Sequence, residues 1–387
     1  MATDAGLLPG TLGARLRRAR ELQRMTQAVA AERLDLSRTT LVAIEAGKRG
    51  VSNHEVRKFA ELYGAAESEL LNDDANLVEL AVDFRSTAEA PQSADEIAVA
   101  AQLNRLANST LQIEAMLGQS PPALDLPLVT ISKTGSLPRQ AEDAAHQLRS
   151  RLGIGLGPIQ NLAALLEFEL GVRVFERPLP SKVSGAVALS ERGGAFILLN
   201  SRHPLYRRRV TAGHEVAHLV IRQNGMTVHV EGDSFQRRDE RFCELFGIAF
   251  LAPASAVRKK AKELKDLFGS FALRQLLMLA IFFGISIEAM TRRLEALDML
   301  APGTYDDLKR KGVGLEHRRQ VAELMSVSEV GQPFTPMSLL LAGVAYERDL
   351  LSEQQIASML GLNLLDVRKA LQEREEDSEE MVLDLVD

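Results

Sequence analysis

Arg209-Val-Thr-Ala-Gly-His214-Glu215-Val-Ala-His218-Leu-Val220 is the stretch on which the reading of this chain turns. On a helix, His214 and His218 stand one turn apart on a single face, so their ring nitrogens can share one metal ion. Ala212, Val216, Leu219 and Val220 recur at helical spacing as an apolar stripe, while Thr211, His214, Glu215 and His218 occupy the opposite side. A core helix can carry this histidine spacing by chance, but a packing face set against a polar face is what a site on a helix requires. Glu215, beside the pair, is placed to take a proton from a water activated by zinc and to pass it to the leaving amine of a peptide bond. The chemistry implied is metal-assisted hydrolysis.

A catalytic zinc needs a third protein ligand and an open fourth position. The sequence offers it downstream, in Asp239-Glu240-Arg-Phe-Cys243-Glu244-Leu-Phe-Gly-Ile-Ala-Phe-Leu-Ala-Pro253. Phe242, Leu245, Phe246, Ala249 and Phe250 repeat at helical intervals and predict a second amphipathic helix ending before Pro253. Glu240, Cys243, Glu244 and Gly247 lie on its other face, where small groups would let the two helices approach closely. Glu240 is the first candidate for the third ligand, and Glu244, one turn on, is the alternative.

These residues carry a specific resemblance. The segment from Ile197 to Pro253 resembles the ImmA/IrrE family of bacterial metallopeptidases, through Ile197-Leu-Leu-Asn200, Arg209-Val-Thr211, His214 to His218, and Glu240-Arg-Phe-Cys243-Glu244-Leu-Phe246-Gly247. The resemblance implies a compact zinc peptidase of zincin type, with Glu240 in the ligand position. Ala217 stands where the family has glycine, Cys243 where it has alanine, and Glu244 where it has Asn or Asp. The last departure sets a second carboxylate near the metal.

The chain has 387 residues, 46% of them hydrophobic, ample for two or three packed domains. A single cysteine excludes an intrachain disulfide. With no apolar signal region and no apolar run of membrane-spanning length, the expected location is the cytoplasm, without membrane association. The longest apolar run, Leu276 to Ile287, reads as a buried helix.

The formal net charge is −6, yet from Gly13 to Lys58 eleven cations face five carboxylates. The same stretch reads as short helices capped by Thr26 and Ser37 and stopped by Gly47. From Gly13 to Gly64 it resembles the Cro/repressor (XRE) type of helix-turn-helix domain. Such a domain places the helix after Ser37 in the major groove of double-stranded operator DNA. Arg38 and Thr39 are the expected base readers, for a guanine edge and a thymine methyl. Gln27, Ser37, Thr40, Lys48 and Arg49 are placed for phosphates. Ala28, Leu41 and Ile44 are expected in the core, and Glu45 is left outside the site.

Farther on, a helical run from Ala94 to Leu117 precedes the break Gln119-Ser-Pro-Pro-Ala. Arg173-Val-Phe175, Gly185 to Leu189 and Ala195 to Asn200 read as three short strands leading into the zinc helix. Near the C-terminus, Leu351 to Leu371 has helix-turn-helix rhythm with a capping box from Ser352 to Gln355, but Leu364, Leu365 and Asp366 stand where a DNA reader would be polar or basic, so it reads as a packing or dimerisation element. The acidic end, Glu373 to Glu380, reads as solvated. His203, His229 and Tyr206 are weaker candidates to hydrogen-bond a developing oxyanion, and Cys243 is expected as a small buried group.

The expected fold is mainly α with a small β-sheet (α+β): a five-helix-type helix-turn-helix domain at 1–72, a helical linker at 73–122, a minimal zincin-like domain at 123–300, and a C-terminal helical region at 301–387. The expected function is a DNA-binding regulator with Zn2+-dependent endopeptidase activity. It would make a limited cut in a regulatory protein, with a helix-turn-helix repressor as the candidate substrate and a homodimer as a candidate assembly. The alternative is a repressor whose metal domain is a non-proteolytic sensor or scaffold. Glu215 favours the enzyme, because a scaffold has no need of it.

Overall fold

A computed structural model of the chain describes residues 12–23, 25–65, 67, 70, 94–120, 124, 126–190, 194–221, 225–230, 238–325 and 334–377. The protein is mainly helical with one small mixed sheet. It divides into two compact units: Met1–Pro121 with Ser190–Gly193 and Ser338–Asp387, and Pro122–Leu189 with Gly194–Met337.

The first unit opens with α1 (Leu12–Leu22), α2 (Gln27–Arg33), α3 (Arg38–Glu45) and α4 (Asn53–Tyr63). Short polar side chains start these helices: Thr26 accepts from the Val29 amide, Ser37 from that of Thr40, and Ser52 closes a capping box with Glu55. Leu16, Leu41, Ile44, Val56, Phe59 and Tyr63 fill the core between them. Ala28, expected in that core, is exposed. α2 turns Ala30 and Ala31 inward instead. The expected fifth helix falls mostly on residues outside the described ones.

α5 (Ala94–Met116) is more than a tether, since Val99, Leu103, Leu106, Ala107, Leu111 and Ile113 are all buried. Gly64, left-handed at the end of α4, lets α5 come close: a Cβ there would lie 2.6 Å from the Ala101 carbonyl oxygen. Three C-terminal helices follow, Pro336–Glu347, Glu353–Leu360 and Leu364–Asp377, and the middle one packs on α5. Its capping box forms between Ser352 and Gln355.

The second unit starts with α6 (Leu137–Arg151) and α7 (Leu162–Ala164), which continues as a π-helical turn, Leu165–Glu169. Then come β1 (Val172–Arg177), β2 (Val183–Ser190), β3 (Gly194–Asn200), α8 (Leu205–Val220), β4 (Gly225–Val230) and α9 (Arg238–Leu251). Helices α10 (Ala254–Phe268), α11 (Leu273–Phe283), α12 (Ile287–Ala296), α13 (Thr304–Arg310) and α14 (Leu315–Leu324) complete it. The sheet order is β1-β3-β2-β4, with β1 parallel to β3 and β2 antiparallel to β4. Four strands replace the three expected. β4 alternates Met226, Val228 and Val230 with Thr227 and His229, a period-two strand pattern, and pairs with β2. Val172, Val174, Val187, Ile197 and Leu199 share one core with Ala212, Val216, Leu219 and Val220, so the apolar stripe of α8 lies against the sheet. Among the described residues no single helix is long and apolar enough to cross a membrane.

Glu167, buried in the π-helical turn, accepts from the Met337 amide at 2.8 Å and the Val174 amide at 3.4 Å, while Thr335 donates to the Val174 carbonyl. Burial raises its carboxyl to about 7. A carboxyl whose folded value lies above its unfolded one stabilises the fold at low pH, and that stability is lost as pH rises from about 4.5 to about 7. Replacing Glu167 by Gln is expected to flatten the pH dependence of unfolding across that window by on the order of 3 kcal/mol, read by denaturant titration at several pH values.

Candidate metal centre

α8 and α9 meet at a pair of glycines. A Cβ on Gly247 would lie 2.8 Å from the His214 amide nitrogen, and one on Gly213 would lie 3.1 Å from the Gly247 Cα. Backbone cannot yield to such contacts, so the close approach depends on both glycines. Gly247→Ala is expected to cost about 1 to 3 kcal/mol and to lower metal affinity by spreading the two helices, measurable by thermal unfolding and metal titration.

The approach brings three side chains together. His214 Nε2 and His218 Nε2 are 3.0 Å apart, and Glu240 Oε2 lies 3.4 Å from the first and 3.7 Å from the second. Ligands of a tetrahedral zinc at about 2.0 to 2.2 Å stand about 3.3 Å from one another, so two imidazoles and one carboxylate at these separations fit the ion with one position left open. Among the described residues these three form a group able to hold a metal. Glu244, the alternative ligand, instead pairs with Arg241 at 2.6 Å.

Glu215 is fully buried beside this group. Burial raises its carboxyl well above the usual range, and the nearby Glu240 adds to the rise. Gly185 of β2 makes room for it: a Cβ at Gly185 would lie 2.8 Å from Thr211 Cγ2, 2.9 Å from the Leu198 carbonyl oxygen and 3.4 Å from Glu215 Oε1. The β2–β4 pairing shifts register between Val183 and Gly185 at this point. Neither Gly185 nor this irregularity carries a signal in the sequence alone.

Three arginines, Arg149 buried and Arg209 and Arg293 half-buried, hold the frame. Arg209 donates to the carbonyls of Gly284, Gln160 and Ile159, fixing the middle of α8. Arg149 donates to the Phe250 carbonyl and Arg293 to that of Ala252, satisfying the end of α9. Cys243 is buried, and its thiol is pushed up by burial and neighbouring carboxylates, which leaves it a small packing group. The His203 ring meets the Ser181 carbonyl at 3.4 Å, and Tyr206 lies under the Arg318 guanidinium, 4.3 Å from its ring centroid. The side chain of His229 lies outside the described residues.

In the first unit, Ser37, Arg38, Thr39, Lys48 and Arg49 are exposed and Thr40 is half-buried. Ser37 Oγ also bonds the hydroxyls of Thr39 and Thr40, each at 2.8 Å, and Arg49 pairs with Glu55 at 2.9 Å. Glu45, left aside in the sequence reading, is a buried hub: it receives Arg20 at 2.6 Å and the Gln27 amide at 2.9 Å. Gln27 is therefore oriented from within, and α1, α2 and α3 are tied to one another. Val42, 41% exposed on α3, is an apolar surface residue of the helix that begins with Arg38.

This arrangement is that of a helix-turn-helix module joined to a domain with a two-histidine, one-carboxylate centre. Comparison with known families gives the same division. The model of a helix-turn-helix domain matches residues 11–72, and that of the IrrE N-terminal-like domain, a peptidase family, matches residues 168–295. The chain is thus a fusion of a DNA-binding type of domain with an IrrE-like domain of metallopeptidase type. No curated protein matches it. Among solved structures, the crystal structure of ComR from Streptococcus suis aligns over 97% of this chain and 96% of that one, at 11% identity and a TM-score of 0.15, too weak a likeness to bear on the fold.

Proposed function

We propose that the chain is a cytoplasmic, DNA-binding regulator that uses a zinc-dependent endopeptidase centre for limited cleavage of a regulatory protein. The observation that carries this reading is the convergence of His214, His218 and Glu240 at zinc-ligand separations, with Glu215 buried beside them. When bound, the metal supplies Lewis acidity toward a water and a peptide carbonyl. The protein does the rest. Glu215, walled by Gly185 and Thr211 and shut off from solvent, takes the proton of the attacking water and returns it to the departing amine. A scaffold that only sensed metal would have no use for a carboxylate in that place.

The helix-turn-helix domain concentrates the peptidase at an operator, so a regulator bound there, such as another helix-turn-helix repressor, meets it at high effective concentration. On the DNA side, Arg38→Ala is expected to cost about 1 to 3 kcal/mol and to relax preference at one base pair, whereas Lys48→Ala should weaken all duplexes alike and flatten the salt dependence. Equal, sequence-independent losses from both changes in a binding titration would remove Arg38 as a base reader. The regulatory output is tested by transcript profiling of a deletion strain complemented with wild type or Glu215→Gln. Identical profiles under every condition would transfer the reading to a sensor-repressor.

A further inference from the structure

α3 buries one side and offers the other to solvent. Leu41, Ile44 and Glu45 are buried, and at about 100° per residue they set the inward direction of the helix. Arg38, Thr39, Val42 and Ala43 share the opposite arc, where the first three are exposed and Ala43 is half-buried.

The polar groups of this arc are confined to its first turn. The Thr39 hydroxyl stands 2.8 Å from Ser37 Oγ, which accepts from the Thr40 amide at 3.0 Å, so that hydroxyl is engaged with the cap that starts the helix. The second turn presents hydrocarbon: the isopropyl group of Val42, 41% exposed, beside the methyl of Ala43. A single exposed valine is ordinary on a protein surface. This one stands on the helix that a domain of this type lays in the major groove, on the arc that also carries Arg38. Base pairs present there nitrogen and oxygen donors and acceptors, and one apolar group, the C5 methyl of thymine. Valine set against a polar base edge displaces water and returns no hydrogen bond, whereas against a methyl it buries two apolar surfaces.

We propose that Val42 is a specificity-determining residue of the DNA contact, one that selects thymine through its C5 methyl group. Val42 follows Arg38 by four residues, about 6 Å along the helix, and successive base pairs are about 3.4 Å apart. The thymine selected by Val42 therefore lies about two base pairs from the pair assigned to Arg38. The inference rests on the DNA-binding reading of this domain and narrows the class of operator it takes.

The test uses the full-length protein and a pool of random duplexes, with the retained sequences read to give the preferred operator. Each thymine of that operator is then replaced in turn by deoxyuridine, which lacks only the methyl, and affinities are compared by fluorescence anisotropy. One replacement, about two base pairs from the position whose preference Arg38→Ala relaxes, is expected to weaken binding about fourfold, as one buried methyl-sized group would. Val42→Ser should bind the thymine and deoxyuridine duplexes equally at that position, and Val42→Ile should keep the discrimination. Both variants should melt at the wild-type temperature, because the side chain is exposed. Equal affinity for every deoxyuridine duplex overturns the proposal and leaves the DNA-binding reading in place. So does discrimination that survives Val42→Ser and disappears in Thr39→Ser, and so does a Val42→Ser protein that weakens all duplexes alike. If no duplex is retained, the DNA-binding reading itself fails and the inference falls with it.

Discussion

Glu215→Gln protein is expected to hold a full equivalent of zinc and to hydrolyse its substrate about 10²- to 10⁴-fold more slowly than wild type. The two roles separate because Glu215 lies outside the group of His214, His218 and Glu240, whose donor atoms stand within 4.8 Å of one another. An amide in place of the carboxylate fills the same volume beside Gly185 and Thr211 but cannot take up a proton at neutral pH. Alanine at His214, His218 or Glu240 should do the reverse and lower metal content first. Metal analysis of the purified variants decides the matter: a double His214→Ala, His218→Ala protein that keeps a full equivalent would dismiss the centre. Loss of zinc from Glu244→Ala with retention in Glu240→Ala would move the third ligand by one turn, against the pairing of Glu244 with Arg241.

The second large effect is expected at Glu45. Its carboxylate is 2% exposed and meets the guanidinium of Arg20, itself 7% exposed. Removing one partner of such a pair strands a buried charge and typically costs about 3 to 5 kcal/mol, a large fraction of the stability of a small domain. Glu45→Ala should therefore melt α1 to α4 well below the wild-type temperature and abolish operator binding, although no DNA-facing side chain has changed. Exchanging the pair for Met at both positions should restore much of the stability, because two apolar groups leave no charge stranded. Circular dichroism and a duplex titration on the same samples would show whether folding and binding fall together.

Much of this organisation is legible in the sequence wherever one helical period carries it. The split of α8 into an apolar stripe and a polar face, the caps at Thr26, Ser37 and Ser352, and the left-handed Gly47 just past the end of α3 all follow from spacing and side-chain chemistry over a few residues. What spacing does not carry is pairing between distant segments. Glu45 stays outside the site in the sequence reading because its partner Arg20 lies 25 positions earlier. Glu167 meets Met337 across 170 positions. The third member of the metal group is an intermediate case. Periodicity put Glu240 and Glu244 on one face, and the resemblance to ImmA/IrrE peptidases pointed to the first. The geometry that brings Glu240 to the histidines comes from Gly213 meeting Gly247, a contact between two helices.

The central claim is that this centre cuts a protein in the cell. It is tested most directly by comparing new protein N-termini in a deletion strain complemented with wild type against the same strain complemented with Glu215→Gln. The account predicts one or a few termini, within a DNA-binding regulator, that appear only with wild type. The same set of termini in both strains would contradict it.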